Sequence, residues 1–269
     1  MPELPEVETV RRSLLSIVGL RVEAVEVCES RLRQPVAADL PRRLVHREVT
    51  GISRRGKYLL FHLDDGNALL AHLGMSGALL HLAADAAARQ HDHVRIRLDD
   101  GSCLTLNDPR RFGLLKVGVP SSFGELGALG PDPLGPAFTF AALKAAAGGR
   151  RTPIKNLLMD QRAIGGIGNI YANEILYAAG IRPGRQARGL SGAELRRLYA
   201  AVRDVLDRAL AAGGSSISDY RDGNGRPGYF QLRLCVYDRA GQSCGGCDAV
   251  VRRRVHAGRS SFYCPRCQP

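Results

Sequence analysis

Residues 57–73 read KYLLFHLDDGNALLAHL. Two short apolar runs, 57–63 and 68–73, flank Asp64-Asp65-Gly66-Asn67, which has the composition of a tight hairpin turn. Runs 94–98 and 103–107 flank Asp99-Asp100-Gly101-Ser102 in the same way. Runs 22–27 and 114–119 extend the pattern on either side. No helical stretch alternates with these strands, so an antiparallel sandwich or barrel is expected rather than a parallel sheet. Ahead of them Val7, Val10, Leu14 and Val18 recur at helical spacing. Pro5 suits the first turn of that helix, and Glu6 and Glu8 suit its positive end. The result is a mainly β domain over residues 2–130 behind one N-terminal helix.

The composition then changes. Residues 131–136, PDPLGP, read as a linker. Helical patterns follow over 140–147, 154–161 and 170–179. Ser191 and Glu194 form a capping box that opens a long helix to about residue 212. The Gly/Asp/Arg-rich span 219–228 reads as a loop. Residues 229–237 return to strand-like composition. The chain is therefore expected to be an α+β multidomain protein: 2–130 β, 137–228 helical, and 229–269 a small C-terminal module. No internal repeat is visible.

That last module carries the clearest chemical signal. Four of the seven cysteines fall in Cys244-x2-Cys247 and Cys264-x2-Cys267, separated by residues 248–263. Paired knuckles at this separation match a four-thiolate Zn2+ site. Four protein thiolates leave no open coordination position, so one structural zinc ion is expected. Cys28, Cys103 and Cys235 sit among apolar neighbours and are expected to be small buried residues.

The chain of 269 residues carries a formal charge of +12, which favours a polyanionic partner. Hydrophobic residues make up 45%, enough for packed cores. No run reaches the ~18 apolar residues of a membrane span, and the N-terminus is acidic where a signal peptide is basic. A soluble, cytoplasmic protein is expected.

The chain opens Met1-Pro2-Glu3-Leu4-Pro5-Glu6. Methionine before proline is usually removed, which would leave Pro2 with a free secondary amine. Such an amine can attack an electrophilic carbon and form an iminium. An α-amino group titrates near pH ~7.7–8.0, so part of it is unprotonated at neutrality. Glu3 places a carboxyl group beside it for proton transfer. Farther on, Gly165-Gly166-Ile167-Gly168-Asn169 is a tight turn between two helical runs, where backbone N–H groups suit a phosphate. Asn107-Asp108-Pro109-Arg110-Arg111-Phe112-Gly113 combines arginine with an aromatic wedge, and His72-Leu73-Gly74-Met75-Ser76-Gly77 presents a methionine on a turn. Arg252-Arg253-Arg254 and Arg259 lie between the cysteine pairs.

Taken together, PELPEVET, RRGKYL, HLGMSG, NDPRRFG, GGIGNIYANEIL, PGYFQ and GRSSFYCPRCQ closely resemble the formamidopyrimidine-DNA glycosylase family of bacterial base-excision repair, from Pro2 to Cys267. The resemblance implies a β-sandwich, a helix–two-turn–helix domain and a β-hairpin zinc finger, with DNA bound between them. It implies a bifunctional glycosylase and abasic-site lyase acting on double-stranded DNA with oxidised bases, as a monomer. Pro2 would be the nucleophile and Glu3 the proton donor, with Lys57 and Arg259 assisting the two eliminations. Met75, Arg110 and Phe112 would fill the gap left by the extruded base. His91, Arg151, Lys155, Asn169 and Arg259 would contact DNA phosphates, and His72 would also bind DNA. Residues 215–229 would cover the lesion; Arg221 departs from the apolar residue expected there. The sister family acting on oxidised pyrimidines generally lacks the Met/Arg/Phe trio. A silent damage sensor would be expected to lose Pro2, Glu3 or Lys57.

Overall fold

The computed structural model describes residues 2–83, 86–215, 222–226 and 228–269. The chain divides into two compact units. The first contains Met1–Gly127 and Ala212–Gln231; the second contains Ala128–Ala211 and Leu232–Pro269.

In the first unit, α1 (Leu4–Ser13) is followed by a 3-10 turn, Leu15–Ile17. The helix breaks earlier than the apolar spacing predicts. Ile17 takes the buried position, and Val18 is left 39% exposed. Next come β1 (Val22–Val27), α2 (Leu40–Leu44), β2 (Val49–Arg55), β3 (Tyr58–Leu63), β4 (Ala68–His72), β5 (Ala78–Leu82), β6 (Asp92–Leu98), β7 (Cys103–Asn107), β8 (Leu114–Gly118) and α3 (Gly124–Gly127). They make two four-stranded antiparallel sheets, β1-β6-β7-β5 and β2-β3-β4-β8. The turns at 64–67 and 99–102 join β3 to β4 and β6 to β7, as their composition predicts. Gly66 and Gly101 have φ of 79° and 85°, the left-handed values such turns need. Asp65 and Asp100 each accept a backbone N–H two residues on.

Every residue of β4 is buried, and the two faces have different partners. Leu69 and Ala71 enter the main core with Leu59, Phe61, Ile96, Leu104, the helical Val7 and Val10, and Leu14 just past the end of α1. Ala68 and Leu70 pack on the other side against Leu60, Leu114 and Phe123. This double covering explains the unbroken apolar run at 68–71. Truncating Leu59 to alanine inside such a core costs about 2–5 kcal/mol.

The second unit contains α4 (Phe140–Ala147), α5 (Ile154–Met159), α6 (Asn169–Ala178), α7 (Gly192–Ala211), and the hairpin β9 (Arg252–His256) and β10 (Arg259–Tyr263). The expected capping box opens α7: Glu194 N donates to Ser191 Oγ at 3.2 Å, and Ser191 N donates to Glu194 Oε2 at 2.7 Å. Residues 131–136 are tied into this unit, since Gly165 N donates to Pro131 O and Arg203 Nη2 to Gly135 O. The strand expected over 229–237 does not form. Phe230–Arg233 is a 3-10 turn, and the N–H groups of Cys235, Val236 and Tyr237 all donate to the buried Glu174 carboxylate at 2.8–3.0 Å. A side chain has replaced a neighbouring strand as their partner. Cys103 is buried, but Cys235 is only partly covered and Cys28 is exposed, contrary to expectation. Among the described residues, no helix is long and apolar enough to cross a membrane.

Candidate functional site

At the start of α1, Pro2 is buried and Glu3 is 2% exposed. Glu3 is the N-cap, and its carboxylate accepts the backbone N–H of Glu6. Glu6 Oε2 accepts the N–H of Glu3 at 2.8 Å in return. This reciprocal box satisfies helix-end donors and fixes the Glu3 carboxyl beside Pro2. The other oxygen, Glu6 Oε1, accepts the N–H of Ser215 at 2.7 Å. A Cβ at Gly214, whose φ is +81°, would lie 2.9 Å from that oxygen. Glu6, with 1% exposure, therefore holds the first residues after α7 to the helix that carries Pro2 and Glu3. The Glu3-x-x-Glu6 spacing carried this signal in the sequence. Arg221 and residues 216–220 lie outside the described residues.

One turn along α1, burial opposes ionisation of Glu8. The guanidiniums of Arg11, Arg12 and Arg54 outweigh it and hold the carboxyl down at about 2. Arg54 donates through Nε to Glu8 at 3.2 Å and through Nη1 to Gly56 O at 3.0 Å. It thereby braces the β2–β3 turn that presents Lys57, which is 7% exposed. His72, at the end of β4, has its pKa pushed down to about 4 by burial, then by Lys57 and Arg33. Its Nδ1 accepts the N–H of Gly74 at 3.0 Å, so the neutral ring carries its proton on Nε2. At neutral pH His72 is an N–H donor, not a cation.

The turns bearing Met75 and Arg110–Phe112 are packed together. Ser76 Oγ donates to Asp108 Oδ1 at 2.8 Å, and Gly113 N donates to Asp108 Oδ2 at 2.7 Å. A Cβ at Gly74 would lie 2.4 Å from the Phe112 carbonyl, so only glycine allows this approach. Met75 is 37% and Phe112 43% exposed, with the Arg110 guanidinium 4.8 Å from the Phe112 ring centre. The turns thus present an apolar probe and a cation–aromatic pair outward. Fully buried Asp108, which sequence reading passed over, joins them. His91 is exposed, with φ +72°, and Asp108 N donates to its carbonyl.

The remaining expected residues lie in the second unit. Gln161 closes the turn before α6: its Nε2 donates to Ile167 O, and its Oε1 accepts from Gly166 N. Asn169 is the first residue of α6, and its buried Oδ1 has no hydrogen-bond partner among the described residues. Arg151 and Arg259 are exposed. Lys155 differs: it is fully buried, and its Nζ donates to Ser261 Oγ at 2.9 Å and to Ser260 O at 2.5 Å. It fastens α5 to β10 beside Arg259. Asn173 and Glu174, one helical turn beyond Asn169, hold Phe262 and residues 235–237. Neither was legible as a ligand of the C-terminal module.

Cys244, Cys247, Cys264 and Cys267 bring their sulfurs within 4.8 Å of one another. Three of the separations are 3.4, 3.5 and 3.9 Å. A tetrahedral ion about 2.3 Å from each thiolate spaces them by roughly 3.8 Å, so the cluster fits a metal ion.

The family described as formamidopyrimidine-DNA glycosylase N-terminal domain matches residues 1–115, and the corresponding H2TH domain matches residues 129–221. The formamidopyrimidine-DNA glycosylase of Halorhodospira halophila is 49% identical, with all of both chains covered. The crystal structure of the MutM (Fpg) protein of Thermus thermophilus superposes with a TM-score of 0.88 at 41% identity, covering 99% of this chain and 98% of that one. The Lactococcus lactis Fpg in complex with DNA containing an abasic site gives 0.91 at 33% identity, with 99% of each chain covered. This chain belongs to the formamidopyrimidine-DNA glycosylase family.

Proposed function

We propose that this DNA glycosylase of base-excision repair removes oxidised purines from duplex DNA through Pro2 and then cuts the strand. The observation that carries the reading is the buried corner at the start of α1, where Glu3 is fixed beside Pro2 by Glu6. Loss of Met1 turns the Pro2 nitrogen into a secondary amine. That nitrogen bonds to the sugar C1′ as the bond from C1′ to the damaged base breaks. Glu3 protonates the ring oxygen as the sugar opens, which leaves an iminium. The iminium acidifies C2′, so loss of a proton there expels the 3′ phosphate, and a second elimination expels the 5′ phosphate. Lys57 assists the first elimination and Arg259 the second. A damaged base must leave the stack before this chemistry begins. Met75, Arg110 and Phe112, packed on adjoining turns, fill the gap. This trio favours oxidised purines over oxidised pyrimidines.

The Lactococcus lactis complexes with abasic-site and Fapy-dG DNA support such lesions as ligands of this chain. Phosphate contacts come from neutral His72 and from His91, Arg151 and Asn169. Lys155 acts through its hold on β10. Zinc is the metal assigned to the four cysteines; it supplies structure only, because four thiolates fill its coordination sphere.

Borohydride treatment with an 8-oxoguanine duplex, followed by intact-mass and peptide analysis, tests the assignment. A covalent DNA adduct on Pro2 of a chain lacking Met1 is expected; trapping on a lysine, or full activity with Met1 retained, refutes it. Glu3→Gln should lower single-turnover cleavage by about 10²–10⁴-fold while leaving affinity in a gel shift nearly unchanged.

A further inference from the structure

α6 touches the cysteine cluster through a side chain that neither the glycosylase chemistry nor the four-ligand count uses. Tyr177 Oη lies 3.3 Å from Cys244 Sγ. A metal-bound sulfur has no proton, so the phenol must donate. The knuckle is shaped around it: a Cβ at Gly246 would lie 2.7 Å from Tyr177 Oη, so any larger residue there evicts the hydroxyl. Gly246 N also donates to Cys244 Sγ at 3.4 Å, and Cys267 N donates to Cys264 Sγ at 3.4 Å. Among the described residues, the knuckle sulfurs thus share backbone donors, while Cys244 carries a side-chain hydroxyl in addition.

We propose that Tyr177 is an outer-shell donor to the metal centre, whose hydrogen bond to Cys244 quenches that sulfur as a nucleophile and slows loss of the ion. The inference rests on the zinc reading of the four cysteines. A donated hydrogen bond spreads the thiolate's charge and leaves its lone pairs less available to an electrophile. The bond also ties the ion to α6, the helix that begins with Asn169. An enzyme that repairs oxidised bases works where reactive electrophiles and oxidants are present, so a protected finger suits that task.

N-ethylmaleimide is a suitable probe. The sulfur forms an S–C bond as the maleimide π bond breaks, the carbanion takes a proton from water, and the resulting thioether no longer holds the ion. Metal content is measured first on the intact purified protein. Zinc release is then followed with a chromogenic chelator for wild type and Tyr177→Phe, and early samples are mapped by mass spectrometry. The variant should release zinc about 10-fold faster, with Cys244 the first cysteine alkylated. Gly246→Ala, which displaces the same hydroxyl from the other side, should behave alike and guards against a folding defect in the phenylalanine variant. Protein without zinc would overturn the metal reading itself. Zinc present with equal release rates, or faster release led by another cysteine, overturns the role of Tyr177 alone.

Discussion

The start of α1 and the cysteine cluster both gather acidic side chains in a small space, but they are held in opposite ways. At α1, Glu3 and Glu6 are buried, and their oxygens accept backbone N–H groups of Glu3, Glu6 and Ser215. Backbone N–H groups supply these donors. In the finger, four cysteine sulfurs lie within 4.8 Å of one another. As thiolates they would repel one another, and a bound cation would offset that repulsion. If the α1 corner carries the proposed chemistry, it must keep its geometry while substrate comes and goes, whereas a structural clip can delegate its geometry to a bound ion.

The largest effect separating the two regions should come from stripping the metal. Structural zinc in small modules contributes about 10–16 kcal/mol, so a chelator should unfold the β9–β10 finger and abolish DNA binding. Hydrogen exchange should show residues 232–269 losing protection while the β-sandwich keeps it. Simultaneous loss in both units would break the comparison.

A smaller effect is expected from Glu6→Gln. The substitution is isosteric, but one of its two side-chain ends becomes an NH2 group facing a backbone N–H. Leaving one buried donor unsatisfied costs about 1–3 kcal/mol. Thermal unfolding should register that loss, and exchange at the Glu3 or Ser215 amide should quicken. An unchanged melting temperature would mean that the corner does not depend on its reciprocal cap.

The smallest effect concerns acid. Glu8 has its pKa lowered from about 4.5 to about 2 by its arginine partners against the opposing effect of burial. Its contribution to stability is complete above the unfolded value near 4.5 and fades as pH falls toward 2. Glu8→Gln should therefore flatten the acid limb of a stability–pH curve in that window. A curve identical to wild type would remove the Glu8–Arg54 link as a brace for the Lys57 turn.

The finger knuckles, the turns at 64–67 and 99–102, and the Ser191–Glu194 cap were all legible because each is a relation between residues close in the chain. Spacing alone records them. The strand expected over 229–237 failed because Glu174, 61–63 residues away in the chain, captured the backbone donors that a neighbouring strand would have used. Lys155 illustrates the same limit. Its type suits a phosphate, and only packing reveals that it also holds Ser260 and Ser261.

By itself the amino-acid order determined the antiparallel strand pattern and the cysteine set of the C-terminal module, since turn residues, periodicity and ligand spacing are local properties. Tertiary structure alone decided that Glu6 reaches Ser215, that Asp108 locks Ser76 to Gly113, and that Tyr177 reaches Cys244. The Ser76–Asp108, Tyr177–Cys244 and Glu6–Ser215 contacts join residues 32, 67 and 209 positions apart, and a hydrogen bond between distant residues leaves no period or spacing in the chain from which to read it.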